Sequence, residues 1–589
     1  MQEQEQGASA QTTENPTLPT VRAGWADLGY LAILALLAVG LRTWQITHTE
    51  VASRDSISYI RIAWQLEHGD WRQVLRSAPQ HPGYSLSVLA VSLPVRQFIP
   101  DDLPRAWQLS AQIASALASV LLLVPMFFLG RELFDRRVAF WACVLFQCLP
   151  SSGKVMGDGL SDTLFLLFAC AGLWMACVAL RRGSRTAFAL TGAFGGMAYL
   201  VRPEGALIIA AAGMVLLGLQ IGRRWRRSWR SVLVSGGVLS LASLAVMTPY
   251  MALIGGVTVK NTPNLMMNQQ RPDADWEGKL RPQSPKKGEP QARGPADGST
   301  LLAIWWHPSK AELERLKNLT PEEMLKLKPP RRYLWALKAM YTELGKAFFY
   351  MLWLPALLGA WWFRGRSRLV PGAWVLALVC LLLCGLLFRV AEKMGYLSDR
   401  HLLLVVLCGT YPAAAAAIVL GHKLALGAAR LRPVLAGRIW TDGRAWALGL
   451  LLLLALVPLP RTLERLHGDR AGFRSVGMWM ADHTPTGNFI EDPYCWTSYY
   501  AGRVFVEGCA GLPVEAKPCF YVVLEESKNR HPHLVSLQSA LVHILRNKGS
   551  KIIHQEAVQR GKERVNIVVW KVPGPYQWQP LPGLPGQIP

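Results

Sequence analysis

Between Ala111 and Phe128 the chain reads AQIASALASVLLLVPMFF, without one Asp, Glu, Lys or Arg. With its flanks this run reaches the roughly 20 residues that an α-helix needs to cross the hydrocarbon core of a bilayer. Three further windows, Leu28 to Gly40, Ala206 to Leu219 and Val375 to Leu387, are of the same kind. Across the 589 residues, 51% are hydrophobic and only 17% charged, which is more apolar than soluble domains usually are. The expected fold class is an α-helical polytopic membrane protein. Spans are expected near 26–47, 107–130, 137–150, 159–180, 186–200, 204–222, 231–254, 343–363, 371–389, 401–420 and 445–459, about eleven in all. The first follows a polar tail, residues 1–25, holding Glu3, Glu5 and Glu14 without a basic start. It reads as a retained span, not a cleaved signal peptide. Tyr84 to Val95 is apolar but too short to cross, so a re-entrant or interfacial helix is expected there.

The formal charge is +24, from 63 Lys and Arg against 39 Asp and Glu. Such an excess can serve nucleic acid or an anionic membrane surface, and its position separates the two. Arg131, Arg136 and Arg137, then Arg181, Arg182 and Arg185, Arg223 to Arg230, Arg364 to Arg368, and Lys423 to Arg438 occupy every second connection. The intervening short connections hold little positive charge, Lys154 in one and Arg202 in another. That alternation is the cytoplasmic bias of membrane proteins, so no nucleic-acid partner is expected and the N-terminus is placed in the cytoplasm. An odd number of spans then exports the C-terminus.

Three large pieces share the outer face on this reading: loops 48–106 and 255–342 of a transmembrane domain 26–459, and everything from residue 460. Arg271 to Gly298 is too rich in Pro, Gly and Lys to order itself, whereas Thr320-Pro321-Glu322-Glu323 opens an amphipathic helix. Residues 460–572 read as a small α/β domain. Helices are expected near Gly472 to Ala481 and Leu534 to Arg546, and strands near Asn488 to Glu491, Arg503 to Glu507, Phe520 to Leu524, Lys551 to His554 and Val565 to Trp570. No glycine-rich nucleotide fingerprint precedes its helices, and residues 573–589 form a proline-rich extended tail. Seven of the ten cysteines lie in apolar runs as small hydrophobes; Cys495, Cys509 and Cys519 leave one disulfide open with nothing to select the pair.

The residues able to carry chemistry lie at the outer ends of the spans. Arg54-Asp55-Ser56-Ile57-Ser58-Tyr59 follows the first span and His81-Pro82-Gly83-Tyr84 opens the interfacial helix. Gly157-Asp158-Gly159-Leu160-Ser161-Asp162, Arg202-Pro203-Glu204 and Ser398-Asp399-Arg400-His401 come from later connections. Each has a plain structural reading: Asp55 or Asp162 as a helix cap, Arg202 and Glu204 as a snorkelling pair, Arg400 as an interfacial anchor. Together they place acids beside arginines at one membrane face while the longest apolar runs stay uncharged, which disfavours an ion-coupled transporter. A lipid phosphate carrying a sugar needs cations for the leaving phosphate and a carboxylate for the attacking hydroxyl's proton.

The acidic first loop at Asp55 with Tyr59, the His81-Pro82-Gly83-Tyr84 segment, the run Ala198-Tyr199-Leu200-Val201-Arg202-Pro203-Glu204-Gly205 and Arg400-His401 before a late span occur in the order seen in one family. The chain resembles the polytopic glycosyltransferases of the type C fold, in the style of aminoarabinose lipid A transferases and protein O-mannosyltransferases. The resemblance implies an inverting transferase moving a sugar from a polyprenyl-phosphate donor to a lipid, glycan or protein acceptor. It implies Asp55 as the base, Arg202, Arg400 and Arg54 as phosphate ligands, and Tyr59, His81, Tyr84, Asp158, Asp162, Glu204 and His401 as pocket residues. Family members with an Asp-Glu pair in the first loop differ from this chain, where Ser56 follows Asp55. No cofactor is assigned, and a divalent metal stays an open option. The alternative is a lipid or polysaccharide transporter, and the setting expected is a bacterial inner membrane. Cysteines placed singly at positions 55, 202 and 400 should react with a membrane-impermeant thiol reagent from the same side; labelling of 55 and 202 from opposite sides overturns the arrangement.

Overall fold

The computed structural model describes residues 24–222, 228–258, 329–365, 370–431, 442–492, 494–505, 519–526, 549–560 and 563–574. Its helices in chain order are α1 Trp25–Thr47, α2 Arg54–His68, α3 Trp71–Ser77, α4 Pro82–Phe98, α5 Leu103–Leu133, α6 Arg136–Cys148, α7 Pro150–Gly157, α8 Ser161–Arg182, α9 Arg185–Val201, α10 Ala206–Ile221 and α11 Trp229–Ile254. They continue with α12 Pro329–Ala347, α13 Trp353–Trp362, α14 Pro371–Met394, α15 Leu403–Leu431, α16 Gly443–Leu456 and α17 Ala471–His483. Among the described residues eight helical segments are long and apolar enough to cross a membrane, or nine if α6 and α7, bent by 70°, are one broken span.

The other expected spans are helical but interrupted or short. Segment 186–200 is α9, of 17 residues, packed tightly on α11: a Cβ on Gly192 would sit 2.3 Å from the Leu239 carbonyl oxygen, so glycine permits the close backbone approach. Segment 343–363 breaks between α12 and α13, where Phe349 and Tyr350 adopt left-handed φ of 52° and 53°. The break at Leu149 has a cause in Pro150, which cannot continue the hydrogen bonding of α6. Arg42 of α1 is buried against this bend and donates to the Gln147 and Gly153 carbonyls at 3.2 and 3.0 Å and to Gln147 Oε1 at 3.1 Å. The bundle's outer surface carries exposed Leu36, Leu241 and Leu381, as a lipid-facing wall does. Tyr84 to Val95 is the middle of α4.

At one end of the bundle Asp27 accepts from Arg131 at 2.6 Å and lies 2.8 Å from Arg136, and Arg181 pairs with Glu132 at 2.7 Å. Arg131, Arg136 and Arg181 belong to two of the basic connections read in the sequence, and these two meet at one end. At the other end lie α2 to α4, α7 and the C-terminal α/β region. There β1 Ile490–Glu491, β2 Cys519–Glu526, β3 Lys551–Arg560 and β4 Glu563–Pro573 form a sheet in the order β1-β2-β4-β3, with β1 parallel to β2 and the other pairs antiparallel. Phe473, Val476 and Met480 of α17 join Tyr521, Val523, Ile567 and Val569 in the core beneath it.

Where a strand is expected from Arg503 to Glu507, the described part, Arg503–Phe505, is a 3-10 turn. Its arginine turns inward to donate to the Thr484 carbonyl and hydroxyl at 3.0 and 2.8 Å, a long-range demand that outweighs the local β-preference. Cys495 and Cys519 are both unpaired. Outside the described residues lie Cys509, Arg271 to Gly298, the helix start at Thr320, the helix expected at Leu534 to Arg546 and nearly all of both tails.

Gly159 has φ +68°, and a Cβ there would lie 2.8 Å from Ser56 Oγ. Gly159→Ala should therefore destabilise the folded protein by about 1–3 kcal/mol through strain alone, read as a lower melting temperature in detergent; an unchanged melting temperature would refute the strained turn.

Candidate active site

Four chain corners build the site, and each is placed by local rules. Ser53 caps α2, its hydroxyl accepting from the Ser56 amide at 3.2 Å, which sets Arg54 and Asp55 in the first turn. The left-handed Gly159 turns the chain from α7 into α8, so that Asp162 falls in the first turn of α8. Arg202 is extended (φ −150°, ψ 135°) because Pro203 follows it, and the helix ends there. Asp399–Leu402 is a 3-10 turn leading into α15.

These corners meet through ion pairs. Arg400 Nη2 lies 2.5 Å from Asp55 Oδ2. Arg202 is bonded to Asp162 Oδ1, and its Nε lies 3.8 Å from Glu204 Oε2. Burial works to lower the Arg202 pKa, but Asp162 first and Glu204 next outweigh it, so the guanidinium is held above its ordinary value. Asp399 accepts from Ser151 of α7 at 2.7 Å beside Arg400. Tyr59 shares a 2.6 Å hydrogen bond with Ser161, and burial pushes its phenol pKa up, so it stays neutral.

A narrow cleft opens here. Asp162, Arg202, Glu204, Arg400 and His401 make its polar end; Leu166, Leu383, Leu387, Leu403 and Leu404 with Phe165 make an apolar wall from α8, α14 and α15. Arg400 Nε is buried and has no hydrogen-bond partner among the described residues, an N–H that an anion in the cleft would satisfy.

The structure thus brings together Asp55, Arg202, Arg400, Asp162, Glu204 and His401. It places the other candidates around them. Asp158 accepts from or pairs with His467 Nε2 at 2.9 Å. Tyr84 is fully buried, donating to the Ala111 carbonyl and sharing a bond with Ser115, both at 2.8 Å. His81 is buried, with Nδ1 2.8 Å from the Tyr199 carbonyl and Nε2 2.9 Å from Thr258 Oγ1. Neither His81 nor Tyr84 lines the cleft, and Arg54 is exposed outside it. Their segment still serves the site: a Cβ on Gly83 would lie 2.9 Å from the Leu200 carbonyl oxygen, so only glycine lets α4 support the turn that ends in Arg202. Sequence reasoning did not find Ser151 or His467, since each matters only through a partner more than two hundred residues away. Among the described residues no three His, Cys, Asp or Glu side chains converge as a metal site, so the optional metal has no ligand set there.

Residues 105–250 match the model of the dolichyl-phosphate-mannose-protein mannosyltransferase family. No curated protein matches the chain by sequence. Among solved structures it is similar to the Archaeoglobus fulgidus oligosaccharyltransferase tethered with an acceptor peptide, at 13% identity and a TM-score of 0.51, covering 85% of this chain and 69% of that one. It is similar to AglB from Archaeoglobus fulgidus in complex with an inhibitory peptide and a dolichol-phosphate at 14% identity and a TM-score of 0.47, over 78% of this chain and 58% of that one. It also matches ArnT from Cupriavidus metallidurans bound to undecaprenyl phosphate, at 13% identity and a TM-score of 0.49, over 92% and 98% of the two chains. The chain is thus a polytopic membrane protein with the type C glycosyltransferase fold, as the resemblance implied, and it spans 58% to 69% of the archaeal chains quoted.

The Arg202 and Asp162 side chains are 13% and 6% exposed. Arg202→Met, which strands a buried carboxylate, should cost about 3 kcal/mol, whereas Arg465→Met, whose partner Glu50 is 3.7 Å away at an exposed site, should cost less than about 1 kcal/mol. Equal melting temperatures for the two variants would contradict the pairing.

Proposed function

We propose that the protein is an inverting glycosyltransferase that moves a sugar from a polyprenyl-phosphate donor to an acceptor hydroxyl or amine on a lipid, glycan or protein. The observation that carries this reading is two guanidinium groups set over a leucine-walled cleft, with the Asp55 carboxylate held 2.5 Å from one of them. The apolar wall suits a prenyl chain and the arginines suit its phosphate. The family match over 105–250 supports the donor class.

Donor phosphate entering the cleft takes up the free Nε–H of Arg400 and competes with Asp55 for the rest of that guanidinium. Asp55, released from its counter-ion, accepts the proton of the acceptor O–H or N–H as that atom attacks the anomeric carbon from the face opposite the phosphate. The bond from anomeric carbon to phosphate oxygen breaks, and the phosphate leaves as an anion stabilised by Arg400 and Arg202. It needs no proton, so electrostatic stabilisation supplies most of the acceleration. Asp162 and Glu204 hold Arg202 in place, and Asp399 orients the turn carrying Arg400.

The site end lies opposite the end where Asp27, Arg131, Arg136, Arg181 and Glu132 gather. The positive-inside bias therefore supports a non-cytoplasmic active site with the C-terminal α/β region, residues 460–572, on the same side, in a bacterial inner membrane. The transporter reading has less support, because the acid–arginine pairs sit at helix ends and not along a path through the bundle.

Purified protein incubated with a panel of polyprenyl-phosphate sugars and mixed acceptors should release or transfer sugar, and Asp55→Asn should lower the rate by about 10²–10⁴-fold with the melting temperature retained. An inactive wild type that scrambles labelled lipid instead would favour the transporter, and an Asp55→Asn enzyme with wild-type turnover would remove the base.

A further inference from the structure

The C-terminal α/β region does more than cover the membrane helices: it grips the backbone immediately ahead of Asp55. The Ala52 amide donates to the Tyr500 hydroxyl at 2.9 Å, and the Trp496 indole N–H donates to the Ala52 carbonyl at 2.8 Å. Both polar groups of one peptide residue are therefore held by two side chains of the short helix Trp496–Tyr500, and Ala52, Trp496 and Tyr500 are all buried. Tyr500 in turn donates to Gln108 Oε1 of α5 at 2.7 Å, which ties the grip to the bundle. Just upstream, Glu50 donates to the Leu466 carbonyl and the Leu466 amide to the His48 carbonyl, at 3.1 and 3.2 Å. The segment from His48 to Ala52 is thus held at His48, Glu50 and Ala52 by residues that follow the last span.

The gripping helix is itself built for this position. Asp492 accepts amide hydrogen bonds from Tyr494, Thr497 and Ser498 at 2.9, 2.6 and 3.1 Å. Cys495 sits at a left-handed φ of 62°, a conformation that is strained for a non-glycine residue and persists only where surrounding contacts impose it. Trp496 packs against Phe473, and the Arg470 guanidinium lies over its ring at 4.3 Å.

We propose that Trp496 and Tyr500 are positioning residues for Asp55. By fixing both polar groups of Ala52 they set where Ser53 caps α2, and so where the first-turn carboxylate of Asp55 stands relative to Arg400. The proposal rests on the reading of Asp55 as proton acceptor, and it gives the C-terminal region a part in the reaction without a substrate contact. His467, in the same region and also left-handed at φ 56°, holds Asp158 four residues before Asp162. The second acid corner is anchored from the same side.

The test needs no sugar donor. In the full-length Asp55→Cys protein, alkylation of position 55 by iodoacetamide is followed against pH and resolved from the native thiols by peptide mass spectrometry. Arg400 should favour the thiolate, giving a midpoint below that of an ordinary cysteine. Adding Tyr500→Phe should lower the rate at pH 7 by about threefold and move the midpoint towards the ordinary value; Trp496→Phe, the second variant should the first misfold, should act alike. Tyr499→Phe is the control: it removes a hydrogen bond made by a buried tyrosine of the same helix, to the Pro104 carbonyl at 2.6 Å, and should leave the profile unchanged. The proposal is overturned by an ordinary midpoint in Asp55→Cys alone, by profiles that neither Tyr500→Phe nor Trp496→Phe moves, or by Tyr499→Phe shifting the profile as much as they do. Because no transfer is measured, any of these results leaves the glycosyltransferase reading standing, while a fully active Asp55→Asn enzyme would sink that reading without altering the thiol profile.

Discussion

The contact between Arg400 and Asp55, 2.5 Å long at the rim of an apolar bundle, sets the terms for the rest of the site. A carboxylate and a guanidinium brought to such a boundary lose much of their hydration, and their attraction offsets that loss only when both are held in register. Asp55 is fixed by the start of α2, Arg400 by a 3-10 turn braced through Asp399 and Ser151. The second pair, Arg202 with Asp162, follows the same logic with one more acid in Glu204. In a chain of formal charge +24 the two arginines of the cleft are thus matched by acids, and on the proposed function an entering phosphate would exchange one counter-ion of Arg400 for another.

That the chemistry sits at helix ends is a consequence of the solvent. Inside the hydrocarbon every backbone group must be satisfied by the helix itself, and charged side chains are costly there. Irregular backbone and ionisable groups therefore collect where the helices stop. The stops are written in ordinary turn chemistry: Pro203 after Arg202, left-handed Gly159 before Asp162, Ser53 as the cap before Asp55. Arg42 shows what an exception demands, since three hydrogen bonds to the bend between α6 and α7 accompany its burial in α1.

How far the sequence alone could be read follows from the range of each interaction. Apolar runs are local, so the eight continuous spans were legible, as was the gathering of arginines at alternate turns. The acids and arginines of the cleft were legible as a set because all fall at the same kind of helix end. Their pairing was not: Asp55 meets Arg400 across most of the membrane region, and nothing near either residue names the other. The break between α12 and α13 escaped notice because Phe349 and Tyr350, unlike glycine, give no sign of a left-handed backbone. His81 and Tyr84 drew attention by type, and the fold places them buried beside the turn that carries Arg202, bonded to the Tyr199 and Ala111 carbonyls, partners that only the tertiary structure supplies.

The fold and the site together favour a reaction over mere passage of a lipid. A transported headgroup must be released on the far side, which calls for weak contacts along a polar route. Here the acid–arginine pairs described sit at the helix ends, and the cleft beside Arg202 and Arg400 is walled by leucines of α8, α14 and α15. A phosphate can be held there with its prenyl tail in the apolar wall, leaving the group beyond the phosphate directed at the region of α2. Under the proposed function, a carboxylate that the phosphate displaces from Arg400 would be a base generated by donor binding, next to the bond to be broken. On the proposed mechanism, proton acceptance and leaving-group stabilisation are coupled through a single guanidinium, and an empty site would keep its own base masked.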